Sequence, residues 1–145
     1  MGPQDDQTGA PYTWDRDRYN EYVFSGGTQG ADIEGKKVVI LTTFDAETGK
    51  IRKSPLMRVN HGNQYAVVGS HGGSPEHPAW YQDVLAKPLV ELQDGVLTAV
   101  YRAHEATGHE RELWWRRAVE AWPQYAVDAQ QAGRMIPVVV LTPEV

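Results

Sequence analysis

The sequence predicts an α+β fold, an antiparallel β-barrel with short helices on its flanks, and three observations predict it. Six short segments rich in β-branched and apolar residues recur along the chain. Four of them are joined in pairs by compact turn signals, Asn60-His61-Gly62-Asn63 and Asp94-Gly95. Helical patterning is confined to short stretches between or after these segments.

Taken in order, residues 1–13 are polar, carry two prolines and two glycines, and predict a flexible tail; residues 14–145 are expected to form one domain. A helix is expected from Trp14 to Phe24, with Trp14, Arg18 and Tyr22 on one face and Gly26-Gly27 as its stop. The run from Lys37 to Phe44 reads as the first strand. The stretch Asp45-Ala46-Glu47-Thr48-Gly49 reads as a turn. Strands are expected over Arg52 to Val59, Gln64 to Ser70, Leu89 to Gln93 and Val96 to Ala103. Thr107 and Glu110 have capping-box spacing and predict a helix from Gly108 to Ala121, whose buried face would carry Trp115, Ala118, Val119 and Trp122. Pro123 breaks it, a second helix runs from Gln124 to Ala132 and stops at Gly133, and Ile136 to Leu141 is the last strand, with Pro137 at its start.

The stretch from Tyr65 to Pro88 organises the rest. It opens as a strand, breaks at Gly69-Ser70-His71-Gly72-Gly73 and restarts as a helix, with Ser74, Pro75 and Pro78 as start signals and Pro88 as the stop. A glycine-rich turn between strand and helix lets backbone amides approach a ligand. It lacks the lysine of a phosphate-binding P-loop and the third glycine of a dinucleotide fingerprint. By pattern alone, a structural turn and a binding turn are both consistent with it.

Composition narrows the chemistry. A formal charge of −5 argues against general nucleic-acid binding. The cluster Lys50, Arg52, Lys53 and Arg58 is still suited to a small anion or to a solvated strand face. There is no cysteine, no apolar run long enough to span a bilayer and no secretory leader pattern, so a cytoplasmic location is expected. The five histidines show no metal-ligand spacing, and no metal is expected. Nucleophile elbows, catalytic triads and paired carboxylates are also missing, so any difficult chemistry falls to a cofactor.

The words of the central stretch, Val-Gly-Ser-His-Gly-Gly-Ser-Pro-Glu-His-Pro-Ala-Trp-Tyr, resemble the signature of the deazaflavin-dependent nitroreductase family, whose members bind coenzyme F420. Three further blocks agree in order and spacing: Leu41-Thr42-Thr43 through Thr48-Gly49, Arg52 through Pro55-Leu56, and Ile136 through Leu141. Together they cover roughly residues 15–143. The resemblance implies a split β-barrel of the flavin reductase and FMN-binding kind. It also implies a reductase that passes hydride from reduced F420 to a quinone, enone or similar electron-poor acceptor.

By position, the resemblance puts the phosphate and glutamate tail of F420 against Thr48, Arg52, Lys53, Ser54, Pro55, Leu56 and Met57. It puts the ring against Val68, Gly69, Ser70, His71, Gly72 and Gly73, with Ala79, Trp80, Tyr81, Gln82 and Asp83 completing the enclosure. Tyr125 aligns with a tyrosine that closes over the ring, and Trp122 with an aromatic position on the substrate side. Packing in the helical core is the competing reading of both. Ser70 and Tyr125 are the candidate catalytic hydroxyls.

This chain departs from the family pattern in two places. Where many relatives write Gly-Arg-Lys-Thr/Ser-Gly, it has Asp45-Ala46-Glu47-Thr48-Gly49, and His71 replaces a lysine before the glycine pair. With fewer cations for a polyanionic tail, FMN stands as the alternative cofactor, and a non-catalytic F420 carrier as the alternative function. Relatives use the N-terminal region as a lid, a dimer contact or a peripheral membrane contact. Monomer and homodimer are therefore both open here.

Overall fold

The computed structural model describes residues 4–5, 20–22, 25–27, 32–33 and 35–144. The expected tail over residues 1–13 and most of the helix expected over Trp14 to Phe24 lie outside the described residues; within that helix, residues 20–22 are helical. The strands are β1 (Gln4–Asp5), β2 (Asp32–Ile33), β3 (Lys36–Phe44), β4 (Ile51–Met57), β5 (Asn60–His61), β6 (Gln64–Val68), β7 (Leu89–Asp94), β8 (Leu97–Glu105) and β9 (Val138–Pro143). The helices are α1 (Ala79–Ala86), α2 (Gly108–Ala121) and α3 (Gln124–Ala132).

The sheet runs β1-β4-β3-β7-β8-β9-β6-β5, with β2 paired to β3, and its six long strands pair antiparallel throughout. Ala66 N donates to Val59 O at 2.8 Å, bringing the β6 end of the path back to the chain leaving β4. The sheet thereby curls into the expected antiparallel split barrel.

Alternation along the strands sorts two cores. Val39 and Leu41 of β3 face the barrel interior with Leu56, Val67, Leu92, Val139 and Leu141, and α1 plugs this layer with Trp80 and Val84. Val38 and Ile40 face the other way with Ala66, Val68, Val138 and Val140, against Trp114 and Ala118 of α2 and Tyr125 and Ala132 of α3. A strand buried on both faces has no polar alternation, which is why residues 38–41 read as a continuous Val-Val-Ile-Leu run.

Several local expectations need correction. Strand β4 ends at Met57, and Asn60–His61 forms its own short strand against β6. Helix α2 buries Trp114 and Ala118, while Trp115, Val119 and Trp122 are only partly covered. The buried face is thus turned by about one residue. Thr107 makes no side-chain cap: Gly108 turns at φ +56, and the Glu110 carboxylate instead meets His104 Nε2 at 2.9 Å. Ser74 does not start α1, which begins at Ala79 behind Pro78; its hydroxyl accepts from Glu76 N at 3.1 Å inside the loop. Strand β9 starts two residues later than expected because Ile136 O takes Arg111 Nη1 (2.6 Å) and Pro137 O takes Gly69 N (2.9 Å).

Candidate functional site

The glycine stretch folds as one tight 3₁₀ turn over His71–Gly73, closed by Gly73 N to Ser70 O at 3.0 Å and Ser74 N to His71 O at 3.1 Å. His71 (φ +51), Gly72 (φ +64) and Gly73 (φ +85) are all left-handed. Two glycines remove most of the steric cost of that conformation, and His71 bears it once. Among the described residues, the amides of Ser70, His71 and Gly72 have no intramolecular acceptor. Successive left-handed residues with free N–H groups form a concavity that receives anions or carbonyl oxygens.

Arg134 holds this turn from behind. Its Nη2 donates to the carbonyls of Gly69 (3.1 Å), Ser70 (3.2 Å) and Glu76 (2.9 Å), and its Nε donates to Ser74 O (3.1 Å). Its Nη1 lies 3.1 Å from His77 Nδ1. The His77 ring packs on Tyr81 at 4.7 Å, and the Tyr81 hydroxyl donates to Glu105 Oε1 at 2.5 Å. That bond and the carboxylate's charge, with burial, push the Tyr81 phenol up to about 12. Sequence reasoning missed Arg134, His77 and Glu105 as partners of the turn. The one visible signal was a lone arginine immediately before an apolar strand.

The second half of the site is a buried charge network. Asp83, 1% exposed on α1, accepts from Thr43 Oγ1 (2.7 Å), Arg52 Nε (2.8 Å) and Ala46 N (3.0 Å). Arg52 is 6% exposed, and its other arm donates to Asp45 Oδ2. Asp45 Oδ1 in turn accepts from Glu47 N (2.9 Å) and Thr48 N (2.8 Å), and these amide bonds hold its carboxyl below the usual carboxylate range. The guanidinium of Arg52, expected to meet a ligand tail, is therefore engaged by two carboxylates. Asp83 is an internal anchor rather than a surface group. Lys53 reaches Thr42 Oγ1 at 3.0 Å, and the Lys50 ammonium has no partner among the described residues.

The remaining expected residues divide by depth. Thr48 and Gln82 are exposed; Ala79 and Tyr81 are half-buried. Ser54, Pro55, Leu56, Met57 and Val68 are buried, with Leu56 in the barrel interior and Met57 and Val68 against the helices. Ser54 Oγ and Trp80 Nε1 are buried polar atoms without a partner among the described residues. Ser54 follows Arg52 on the same face of β4, and Trp80 precedes Asp83 by one turn of α1. Tyr125 is 3% exposed within the helical core, and burial beside Asp128 pushes its phenol above the ordinary value. Trp122 packs at the edge of the same core. Among the described residues no three of His, Cys, Asp or Glu gather as a metal site would, and no described helix is long and apolar enough to cross a membrane.

Known proteins match this arrangement over nearly its whole length. An F420H(2)-dependent quinone reductase of Mycobacterium tuberculosis is 32% identical over 131 residues, covering 86% of this chain and 88% of that protein. A solved F420-H2 dependent reductase is 47% identical and superposes with a TM-score of 0.68 over 72% of this chain and 92% of that one. A second solved structure, described as a domain-swapped dimer, is 41% identical with a TM-score of 0.72 over 91% and 99%. The model of the F420H(2)-dependent quinone reductase family matches residues 14–143, and this chain belongs to that family.

Proposed function

We propose that this chain binds reduced coenzyme F420 and transfers hydride from it to a quinone, enone or similarly electron-poor acceptor. The observation that carries the reading is the left-handed turn at residues 71–73, with the free amides of Ser70, His71 and Gly72 next to the Trp80–Tyr81 helix. Those amides suit the carbonyl oxygens of a flat deazaflavin ring, and Lys50 and Lys53 suit its anionic tail. When bound, F420H2 supplies the hydride; the protein supplies position, exclusion of water and a hydrogen bond to the acceptor oxygen. Ser70 is the proposed donor of that bond. The test is absorbance: F420H2 should be oxidised by the purified protein only after menadione or cyclohexenone is added. Oxidation by neither acceptor, with F420 bound, would support the carrier reading instead.

One observation favours FMN as a second reading. Arg52 is engaged by Asp45 and Asp83 and Arg58 by Asp94, so only Lys50 and Lys53 of the expected basic cluster remain for a long polyanion. Replacing each lysine with alanine is expected to weaken F420 binding by about 1 kcal/mol, with the difference shrinking at high salt. Equal affinity of parent and variants at low salt would remove the tail from this strand. For assembly, the domain-swapped relative supports a homodimer over a monomer, which light scattering will decide.

A catalytic part for Tyr125 would require movement of α3, because its ring packs in the core with Trp114 and Ala118. Tyr125→Phe is expected to keep parent-like stability and turnover, and Tyr125→Ala to cost about 3–5 kcal/mol of stability. A tenfold or larger loss of turnover in the Phe variant, with cofactor affinity unchanged, would establish the hydroxyl's role in the reaction.

A further inference from the structure

We infer that Arg134 is the positioning residue of the cofactor turn: by holding the carbonyls of Gly69 and Ser70 on one side, it fixes the amides of Ser70 and His71 on the other. In a trans peptide unit the C=O and the following N–H point in opposite directions. Nη2 of Arg134 donates to Gly69 O and Ser70 O at 3.1 and 3.2 Å, so the N–H groups of Ser70 and His71 are directed away from the guanidinium. The same side chain reaches across the loop to Ser74 O and Glu76 O, tying together both ends of a segment whose own backbone bonds number few. His71 Nδ1 also donates to Glu76 O at 2.9 Å, which adds a second tie to that carbonyl. A planar fork with several fixed donors can serve carbonyls at four positions; an ammonium cannot.

The contact with His77 makes this arrangement sensitive to pH. Guanidinium nitrogens only donate, so His77 Nδ1 at 3.1 Å must be the acceptor, and the ring must be neutral with its proton on Nε2. Burial, and then the charge of Arg134, hold His77 below its ordinary 6.5, with Glu105 opposing them. The groups facing His77 are Arg134 from the segment after α3, Tyr81 on α1 and Glu105 on β8. As pH falls below 6.5, the open loop takes up the proton before the closed one does, so acid favours opening. Protonation both removes the acceptor and sets a cation against the guanidinium.

The inference rests on the proposed F420 site, and the test separates the two. Amide exchange is measured on the cofactor-free parent, Arg134→Lys and His77→Gln, and F420 affinity is measured between about pH 8 and about pH 5. Arg134→Lys should speed exchange at Gly73 and Ser74, whose amides bond Ser70 O and His71 O, by about tenfold, leave Val39 and Val139 protected as in the parent, and weaken F420 binding by about tenfold. The parent's affinity should fall on the acid side, and His77→Gln should flatten that fall. Parent-like exchange in the Lys variant, or faster exchange at Val39 and Val139 to the same degree, would overturn the positioning role. A pH profile unchanged by His77→Gln would overturn the part given to His77. If the parent fails to bind F420, the proposed function falls, and the exchange arm still judges Arg134.

Discussion

Asp83→Ala is expected to cost about 3–5 kcal/mol of stability and to abolish cofactor binding at temperatures where the variant remains folded. The size follows from what is left behind. Arg52, 6% exposed, would lose its partner at 2.8 Å, Thr43 its acceptor at 2.7 Å, and Ala46 N its acceptor at 3.0 Å. A buried guanidinium with half its partners removed costs far more than an exposed ion pair would, because water cannot replace the carboxylate. The surface pair Arg102–Glu144, more than a third exposed on both sides, is the internal comparison, and its removal is expected to cost far less, because water and salt screen it. Chemical denaturation of the single variants and of the double variant Arg52→Met/Asp83→Leu measures the effect. The double variant should recover much of the loss, since the uncompensated charge is gone. Loss in Asp83→Ala no larger than in the surface pair would mean that the network does not hold the turn at residues 45–50 to α1.

Why that network escaped sequence reasoning is plain from its spacing. Asp83 and Arg52 are separated by 31 positions, and Arg134 and Gly69 by 65. No local pattern brings such pairs together; only the curl of the sheet does. Arg52 was legible as a cation on a strand, but its direction was not. Alternation puts it on the same face as Leu56, inside the barrel, where a charge must be paired. By contrast, α2 and α3 were legible to the residue, because Pro123 and Gly133 punctuate them sharply. The β7–β8 hairpin was readable about Gly95, although β7 runs one residue further to Asp94 and β8 spans Leu97–Glu105 rather than Val96 to Ala103. The rotation of α2 was not legible, because it carries adjacent tryptophans. Trp114 and Trp115 fit a helical stripe equally well, and only packing against β6 and β9 selects Trp114.

Gly73→Val is expected to abolish cofactor binding, whereas Gly72→Ala is expected to reduce it only modestly, although the sequence gives the two glycines equal standing. Their surroundings differ. A Cβ at Gly72 would meet nothing within 4 Å, so its cost is the left-handed backbone alone, about 1–2 kcal/mol. A Cβ at Gly73 would lie 2.8 Å from Gln131 Oε1, 3.3 Å from Gln131 Cβ and 3.5 Å from the Asp128 backbone. The flexible amide can retreat, but the other two atoms belong to the body of α3, and valine adds two further methyl groups at φ +85. Either α3 shifts or the turn leaves the left-handed region, and in both cases the amides of Ser70 and His71 lose their direction. The barrel core lies elsewhere, so the variant should still fold, with a cooperative thermal transition and native-like far-ultraviolet dichroism. Titration of F420 fluorescence into both variants reads the outcome. Parent-like affinity in Gly73→Val would make the turn a structural corner and move the cofactor away from residues 69–73.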